Sequence, residues 1–345
     1  MIILGIETSC DETAASIIKA NSKTGRILVL SNVISSQIEI HKKYGGVVPE
    51  VAAREHVLNI LPVVNESLQK AKITPAKIDL IAVTKGPGLI TSLITGLETV
   101  RTLSFAWQKP VLEINHIEGH IFSNFISPKT KINFPALILT VSGGHTNLVL
   151  MDKNKKIKII GETLDDAAGE AYDKGAKMLN LVYPGGPLIA RQADIFKKSK
   201  KTTKLIFPRP MLNSNNFDFS FSGLKTALLY QLQKDPTWKK RTPEYCFAYQ
   251  QAIIDILTAK TLKAAKKFKV KTVMLSGGVS ANQELRECLS EAVKKSLLRV
   301  NFLVPAQEYT TDNAVMIAAA AVFKMKSRKL SRFNHLKVDP SLQLK

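Results

Sequence analysis

The hexapeptide NHIEGH at residues 115–120 sets His116 and His120 four positions apart, with Glu118 between them. On a helix, positions i and i+4 share a face, so both imidazoles can address one ion, and imidazole suits zinc, iron, nickel or copper. Such pairs also occur without a metal, and a third ligand separates the two cases. Asp312, in TTDNAV, is the candidate; its competing role is to cap the helix expected to start there. A metalloprotease is excluded, because that chemistry needs a glutamate directly after the first histidine, and here Ile117 stands in that place. Glu118 falls on another face, and Asn115 and Ile117 need be no more than helix residues. Two histidines and a carboxylate leave positions open on the ion, the layout of a metal that orients a substrate.

Four stretches could cradle phosphate through backbone N–H groups: TSCDET at 8–13, GPG at 86–88, SGGHT at 142–146 and SGGVSAN at 276–282. Each alone reads first as a tight turn, but several after buried strands shift the balance toward a nucleotide. YPGGP at 183–187 reads as a flat loop able to lie against a sugar or base, or as a plain turn.

The elements that must position these residues repeat. IILGI at 2–6 ends in ETSCDET and is followed by a second strand-like run, AASIIKA; ALILTV at 136–141 ends in SGGHT and is followed by NLVLM at 147–151. A third such turn, TVMLSGGVSANQEL at 272–285, runs from a strand into a helix. Helical spacing of apolar residues covers 50–71, 91–108, 245–268 and 312–326. Strands alternating with helices imply an α/β protein with ligands at the carboxyl ends of strands, and the internal echo implies two similar halves facing each other across a cleft. A chain of 345 residues suits two domains. The boundary is expected near 120–135, where SPKTKINFP supplies two prolines, and the last helix is expected to pack back on the first half.

Composition narrows the class. The start, MIILGIETSCDE, carries Glu7 and Asp11 and no basic region, so no secretory signal is expected. The longest apolar run, AVMIAAAAVF at 314–323, is ten residues against the roughly 18 that a membrane helix needs. Cys10, Cys246 and Cys288, odd in number and widely spaced, imply free thiols in the cytoplasm. Residues 1–150 hold 14 basic and 11 acidic side chains, whereas 151–345 hold 35 and 17. Clusters KNKKIK (153–158), KKSKKTTK (197–204) and KAAKKFKVK (263–271) would attract a polyanion; solvated faces of a lysine-rich chain are the other reading.

Taken together, GIETSCDET, YGGVVPE, GPGL, NHIEGH, VSGGHT, DDAAGEAYDKGAK, YPGGP, FSFSGLKT, GGVSAN and TDNAVMIA, in this order from residue 2 to about 320, resemble the TsaD family, the tRNA N6-adenosine threonylcarbamoyltransferases. The resemblance implies the actin-like ATPase and sugar-kinase type of fold: two similar α/β domains around a nucleotide cleft, residues 1–125 with about 312–345 forming one and 126–311 the other. It implies transfer of a threonylcarbamoyl group from threonylcarbamoyl-adenylate to N6 of adenosine 37 in tRNAs reading ANN codons, with release of AMP.

Carried over position by position, the resemblance makes His116, His120 and Asp312 ligands of one divalent metal ion per subunit, Fe(II) or alternatively Zn(II). Thr140, Val141, Ser142, Gly143 and Gly144 would hold the adenylate, and Asp173, Gly186 and Asn282 would complete a pocket for threonylcarbamoyl-adenylate, AMP or ATP. The expected partners are tRNA, gripped by the basic second half, a TsaB-type paralogue and a TsaE-type ATPase, with a TsaC-type enzyme supplying the adenylate. Ala190 departs from the pattern, since many relatives carry an aspartate there, and it is left out of the site. Acyl transfer from a mixed anhydride already has a good leaving group, so positioning and charge stabilisation suffice on that side. The proton on N6 needs a base, for which Asp11 and Glu12 are candidates, with stabilisation of the first turn as the alternative. The competing functions are an actin-like ATPase or small-molecule kinase without tRNA chemistry, and a non-catalytic scaffold.

Overall fold

The computed structural model describes residues 1–21, 24–126, 131–325, 330–331 and 333–344. Residues 127–130, the SPKT of the expected linker, lie outside the described residues. The chain divides into two compact units, Met1–Lys129 with Pro305–Lys345, and Thr130–Val304.

In the first unit, β1 (Ile2–Glu7), β2 (Glu12–Ala20) and β3 (Ile27–Ser36) form an antiparallel meander. A single turn, α1 (Ile38–His41), precedes α2 (Pro49–Ala71), whose proline at the first position suits a helix start. The chain returns as β4 (Leu80–Gly86), parallel to β1, and α3 (Ile90–Trp107) carries it to β5 (Val111–Asn115), parallel to β4. The sheet order is β3-β2-β1-β4-β5, and α4 (His116–Ser123) follows β5 without a gap.

The second unit repeats this wiring. β6 (Ala136–Val141), β7 (Thr146–Met151) and β8 (Ile157–Glu162) form the antiparallel meander. Helices α5 (Ala168–Met178), α6 (Gly185–Lys198), α7 (Ser222–Lys234) and α8 (Thr242–Lys267) follow. Next come β9 (Thr272–Ser276), parallel to β6, α9 (Gln283–Ser296), and β10 (Asn301–Leu303), parallel to β9. The order β10-β9-β6-β7-β8 is the first sheet's order read from the other edge, so the strand, turn, strand echo of the sequence is a duplicated topology.

Burial explains the patterning. Every residue of β6 and β9 is buried, as expected for central strands covered on both faces, while β8 lies at the edge and exposes Lys158 and Glu162. Amphipathic α9 buries Leu285, Leu289 and Val293, one residue per turn. The chain returns to the first unit with α10 (Ala314–Lys324), in which Ala314 to Val322 are all buried. An apolar helix without a polar face must be surrounded, and α10 packs on α4, β1 and β2. Its contact with α4 depends on Gly119: a methyl group there would come within 2.8 Å of Ile317 Cδ1 and 3.1 Å of Met316 Cγ. That approach brings the start of α10 beside the two histidines.

Candidate metal centre and nucleotide loops

The α4 helix is shaped at its first residue. Asn115 is the N-cap, its side-chain oxygen accepting from Ile117 N at 2.8 Å and Glu118 N at 3.4 Å. Its amide donates to the carbonyls of Leu342 and Gln343, so Asn115 does more than the plain helix residue expected. The cap fixes where the helix begins and thereby which face His116 and His120 share. Glu118 points elsewhere, into a buried ion pair with Lys324 at 2.6 Å.

At the start of α10 the cap is Asn313, whose side chain accepts from Met316 N at 3.0 Å. The capping role considered for Asp312 therefore falls to its neighbour. Asp312 Oδ1 lies 3.2 Å from His120 Nε2 and 3.6 Å from His116 Nε2, and the donor atoms of the three residues all lie within 4.8 Å of one another.

The donor set fits a cation. His120 is fully buried, and neither of its ring nitrogens makes a hydrogen bond of good geometry among the described residues, although Nε2 faces Asp312 closely. Two imidazole nitrogens and a carboxylate oxygen, all within 4.8 Å of one another, are a donor set that suits a shared ion. His116 is oriented from behind: Nδ1 meets Glu7 Oε2 at 3.2 Å and Ser9 Oγ at 3.0 Å. Buried Glu7 is itself held by Ser9 N at 2.6 Å and Thr84 Oγ1 at 2.5 Å. A carboxylate behind a metal-facing imidazole fixes its tautomer and raises its basicity.

The electrostatics agree with this division. Burial works against charge on His116, but the Asp312 and Glu7 carboxylates outweigh it and raise its pKa to about 9. Burial also opposes ionisation of Glu7, and the charge and hydrogen bond of His116 prevail and hold it below the usual carboxylate range. His120 is driven down by burial, helped by the charge on His116, so it stays neutral and ready to ligate.

Asp11 and Glu12 sit at the β1–β2 turn, within electrostatic reach of this centre. Burial first, then the Asp11 and Asp312 carboxylates, push Glu12 well above the usual range, and Ser36 Oγ donates to its Oε1 at 3.3 Å. The Asp11 backbone carbonyl accepts from Gln37 N at 3.0 Å, so this turn also has a structural duty.

The second unit gathers the residues expected at a nucleotide. Thr140 and Val141 end β6, level with Ser276 of β9, and Thr140 Oγ1 lies 3.1 Å from Ser276 Oγ. The loop continues through Ser142, Gly143 and Gly144; a methyl group added at either glycine would meet no atom within 4 Å, while the loop backbone packs on Gly169 at the start of α5. Across the parallel pair, Gly277 has φ +86° and would place a methyl group 2.3 Å from Val141 O, a close approach that requires glycine. Asp173 Oδ1 accepts from Gly185 N at 2.8 Å and so anchors the PGGP segment. That segment is not the flat loop expected: Gly185, Gly186 and Pro187 form the first turn of α6, where Asp173 satisfies an otherwise unpaired N–H. Asn282 caps α9, accepting from Leu285 N at 3.0 Å, and donates to Gln250 Oε1 at 2.8 Å. Beside it a cavity of about 470 Å³ is lined by Lys197, Gln250, Asn282, Glu284 and Ala190, the last contributing no polar side chain.

The structure thus brings together His116, His120 and Asp312 in one unit, and Thr140–Gly144 with Asn282 at the strand ends of the other. Reading the sequence assigned no role to Glu7 or Thr84, and to Ser9 only a place in a possible phosphate turn; only the fold puts Glu7 and Ser9 behind His116 and Thr84 behind Glu7.

A family model described as TsaD: tRNA N6-adenosine threonylcarbamoyltransferase matches residues 28–319. A protein of that name from Thermosipho africanus is 45% identical over 345 residues, covering 100% of both chains. Another from Persephonella marina is 47% identical over 329 residues, covering 94% of this chain and 91% of its own. Among solved structures, HypF from T. kodakarensis aligns with TM-score 0.63 at 13% identity, covering 94% of this chain and 48% of that one. The activator of the 2-hydroxyisocaproyl-CoA dehydratase from Clostridium difficile, with bound ADPNP, aligns with TM-score 0.52 at 13% identity, covering 95% and 98%. At these identities the likeness is one of fold, and the architecture is of the actin-like ATPase and sugar-kinase type.

Proposed function

The chain belongs to the TsaD family of tRNA N6-adenosine threonylcarbamoyltransferases, tRNA-modifying transferases, and from this premise we propose that it transfers a threonylcarbamoyl group from threonylcarbamoyl-adenylate to N6 of adenosine 37 in tRNAs reading ANN codons, releasing AMP. The observation that carries the reading is full-length similarity at 45% identity together with a convergent His116, His120 and Asp312 set.

In this reading His116, His120 and Asp312 hold one divalent ion, Fe(II) first and Zn(II) second, which when bound supplies a Lewis acid for phosphate or carbamoyl oxygens. Glu7 and Ser9 keep the His116 ring turned toward it. Thr140 to Gly144 receive the adenylate, where a glycine loop lets backbone N–H groups approach a phosphate, and Gly186 and Asn282 complete the nucleotide pocket, Asn282 from the wall of the cavity. Asp173 acts one step back, through the turn it anchors. The proton leaving N6 passes to the Asp11–Glu12 pair of the β1–β2 turn. Ala190 supplies no acceptor to the ribose, so recognition there falls to neighbouring groups.

A TsaB-type paralogue and a TsaE-type ATPase are the proposed partners, in the cytoplasm; among the described residues no helix is long and apolar enough to cross a membrane. A kinase reading would rest on the fold alone. The test is nucleoside mass spectrometry of cognate tRNA after incubation with the chain, its partners and threonylcarbamoyl-adenylate. Threonylcarbamoyl-adenosine at position 37 is expected; a fully metallated complex that leaves the tRNA unmodified overturns the proposal.

A further inference from the structure

The three lysine clusters of the second unit are not equivalent once placed on its sheet. Strand β6 runs from Ala136 to Val141, and the candidate adenylate loop leaves from its carboxyl end. Met151 pairs with Ala136, so the turn from β7 to β8, which carries Lys153 and Lys156, lies at the opposite, amino end. Lys271 N donates to Pro135 O at 2.8 Å, which puts the end of the 263–271 cluster at that far end too. A six-residue strand spans about 20 Å, so these two clusters stand about that far from the glycine loop.

The cluster at 197–204 lies at the near end. Lys197 Nζ pairs with Glu284 Oε2 at 2.6 Å, two residues beyond Asn282, and Gln250 of α8 reaches Asn282 itself. Gln250 is in the third turn of α8, so the helix's amino-terminal turns lie on the carboxyl-end side of β6 and β9, up to about 12 Å along the helix from Gln250. They gather a second basic run, Lys239, Lys240 and Arg241, which joins the first through Glu244: Thr203 Oγ1 donates to Glu244 Oε1 at 2.6 Å and Arg241 Nε to Oε2 at 2.9 Å.

Four acids within the patch are already engaged, while Glu287, near Lys197, accepts from Gln283 Nε2. Asp194 pairs with Lys198, Glu284 with Lys197, Asp235 with Arg241, and Glu244 with Arg241. Lys200, Lys201, Lys204, Lys239 and Lys240 are exposed and make no ion pair among the described residues. They are a run of exposed cations without ion-pair partners on the side of the sheet from which the glycine loop leaves, and the phosphates of a polyanion are the anions such a run fits.

We propose that Lys200, Lys201, Lys204, Lys239 and Lys240 form the surface that grips the phosphates of the tRNA anticodon arm, and that the clusters at 153–158 and 263–271 do not. This rests on the tRNA-modifying function proposed above. The experiment measures tRNA affinity of the chain with its partners from 50 to 200 mM salt. It compares the wild type, a triple Lys200→Ala, Lys201→Ala, Lys204→Ala variant, the same three positions changed to Arg, and a far-end triple Lys153→Ala, Lys156→Ala, Lys158→Ala.

The near-end alanine variant is expected to bind about tenfold or more weakly, with a log–log salt slope shallower by about 2 to 3. The arginine variant should recover most of the affinity and the far-end variant should stay within about twofold of wild type. Metal content and thermal midpoint should be unchanged in all. A far-end variant that weakens binding as much as the near-end one, or a near-end variant with unchanged affinity and slope, overturns the surface while wild-type tRNA modification leaves the function standing. A wild-type chain that neither binds nor modifies tRNA overturns both.

Discussion

Glu7 Oε2 lies 3.2 Å from His116 Nδ1, on the side of the ring away from Asp312. The contact joins the end of β1 to the first turn of α4, across 109 residues of chain. It makes the orientation of one candidate ligand a property of the sheet rather than of the helix that carries it. Changing Glu7→Gln keeps the shape and removes the charge, and metal affinity is expected to fall about 10- to 100-fold. Competition with a chelator measures it; unchanged affinity in a folded variant would show that Glu7 does not serve the ligand.

Proton and metal compete for His116. With its pKa raised to about 9 in the metal-free chain, His116 carries a proton at neutral pH, so apparent metal affinity should drop as pH falls below about 9, by about tenfold per unit while one proton is displaced. The stability of the metal-free chain has the opposite trend. A raised pKa contributes stability that is complete below about 6.5 and lost as pH rises through about 9, so the metal-free melting temperature should fall over that window while the metal-loaded one does not. Melting curves at pH 6, 7.5 and 9 with and without metal decide it, and parallel behaviour of the two forms would contradict the assignment.

The ligands themselves should separate binding from folding. His116→Ala or Asp312→Asn is expected to abolish stoichiometric metal and tRNA modification together, with the fold retained, because the helices are fixed by Asn115, Asn313 and the α4–α10 contact rather than by the ion. Elemental analysis that finds full occupancy in either variant would remove that residue from the site.

Lys324 and Glu118 form a buried pair between α10 and α4, with Glu118 fully enclosed. Replacing Lys324→Met leaves a buried carboxylate without that partner and should cost about 3 kcal/mol or more in denaturant unfolding. Lys324→Arg should cost much less. A methionine variant as stable as wild type would show that the pair contributes little.

All three thiols should be slow in the native chain. Burial pushes Cys246 up to about 12 and Cys288, with help from Glu284, up to about 11; burial and the Asp11 carboxylate raise Cys10 as well. At pH 8 the thiolate fraction is then small, and alkylation followed by mass spectrometry should label the unfolded chain at least tenfold faster at each cysteine. Rapid native labelling of Cys246 would contradict its burial.

What the sequence by itself determined is everything that depends on order and local period. The run NHIEGH puts two imidazoles on one helical face, the strand, turn, strand plan appears twice, and the ordered motifs name a family that the full-length similarity bears out. Tertiary structure alone decided which groups serve those residues, because the contacts cross between distant segments. Asp312 faces His116 and His120 as a possible ligand because Asn313 takes the cap, and no local rule distinguishes adjacent Asp and Asn as caps. Glu7 stands behind His116 only because β1 lies beside β4 in the sheet and α4 follows β5 directly. The PGG run starts a helix instead of a loop because Asp173, twelve positions earlier than Gly185, accepts its first N–H. Lysine counts likewise said only that the second half was basic; strand direction decided which lysines lie on the glycine-loop end of the sheet.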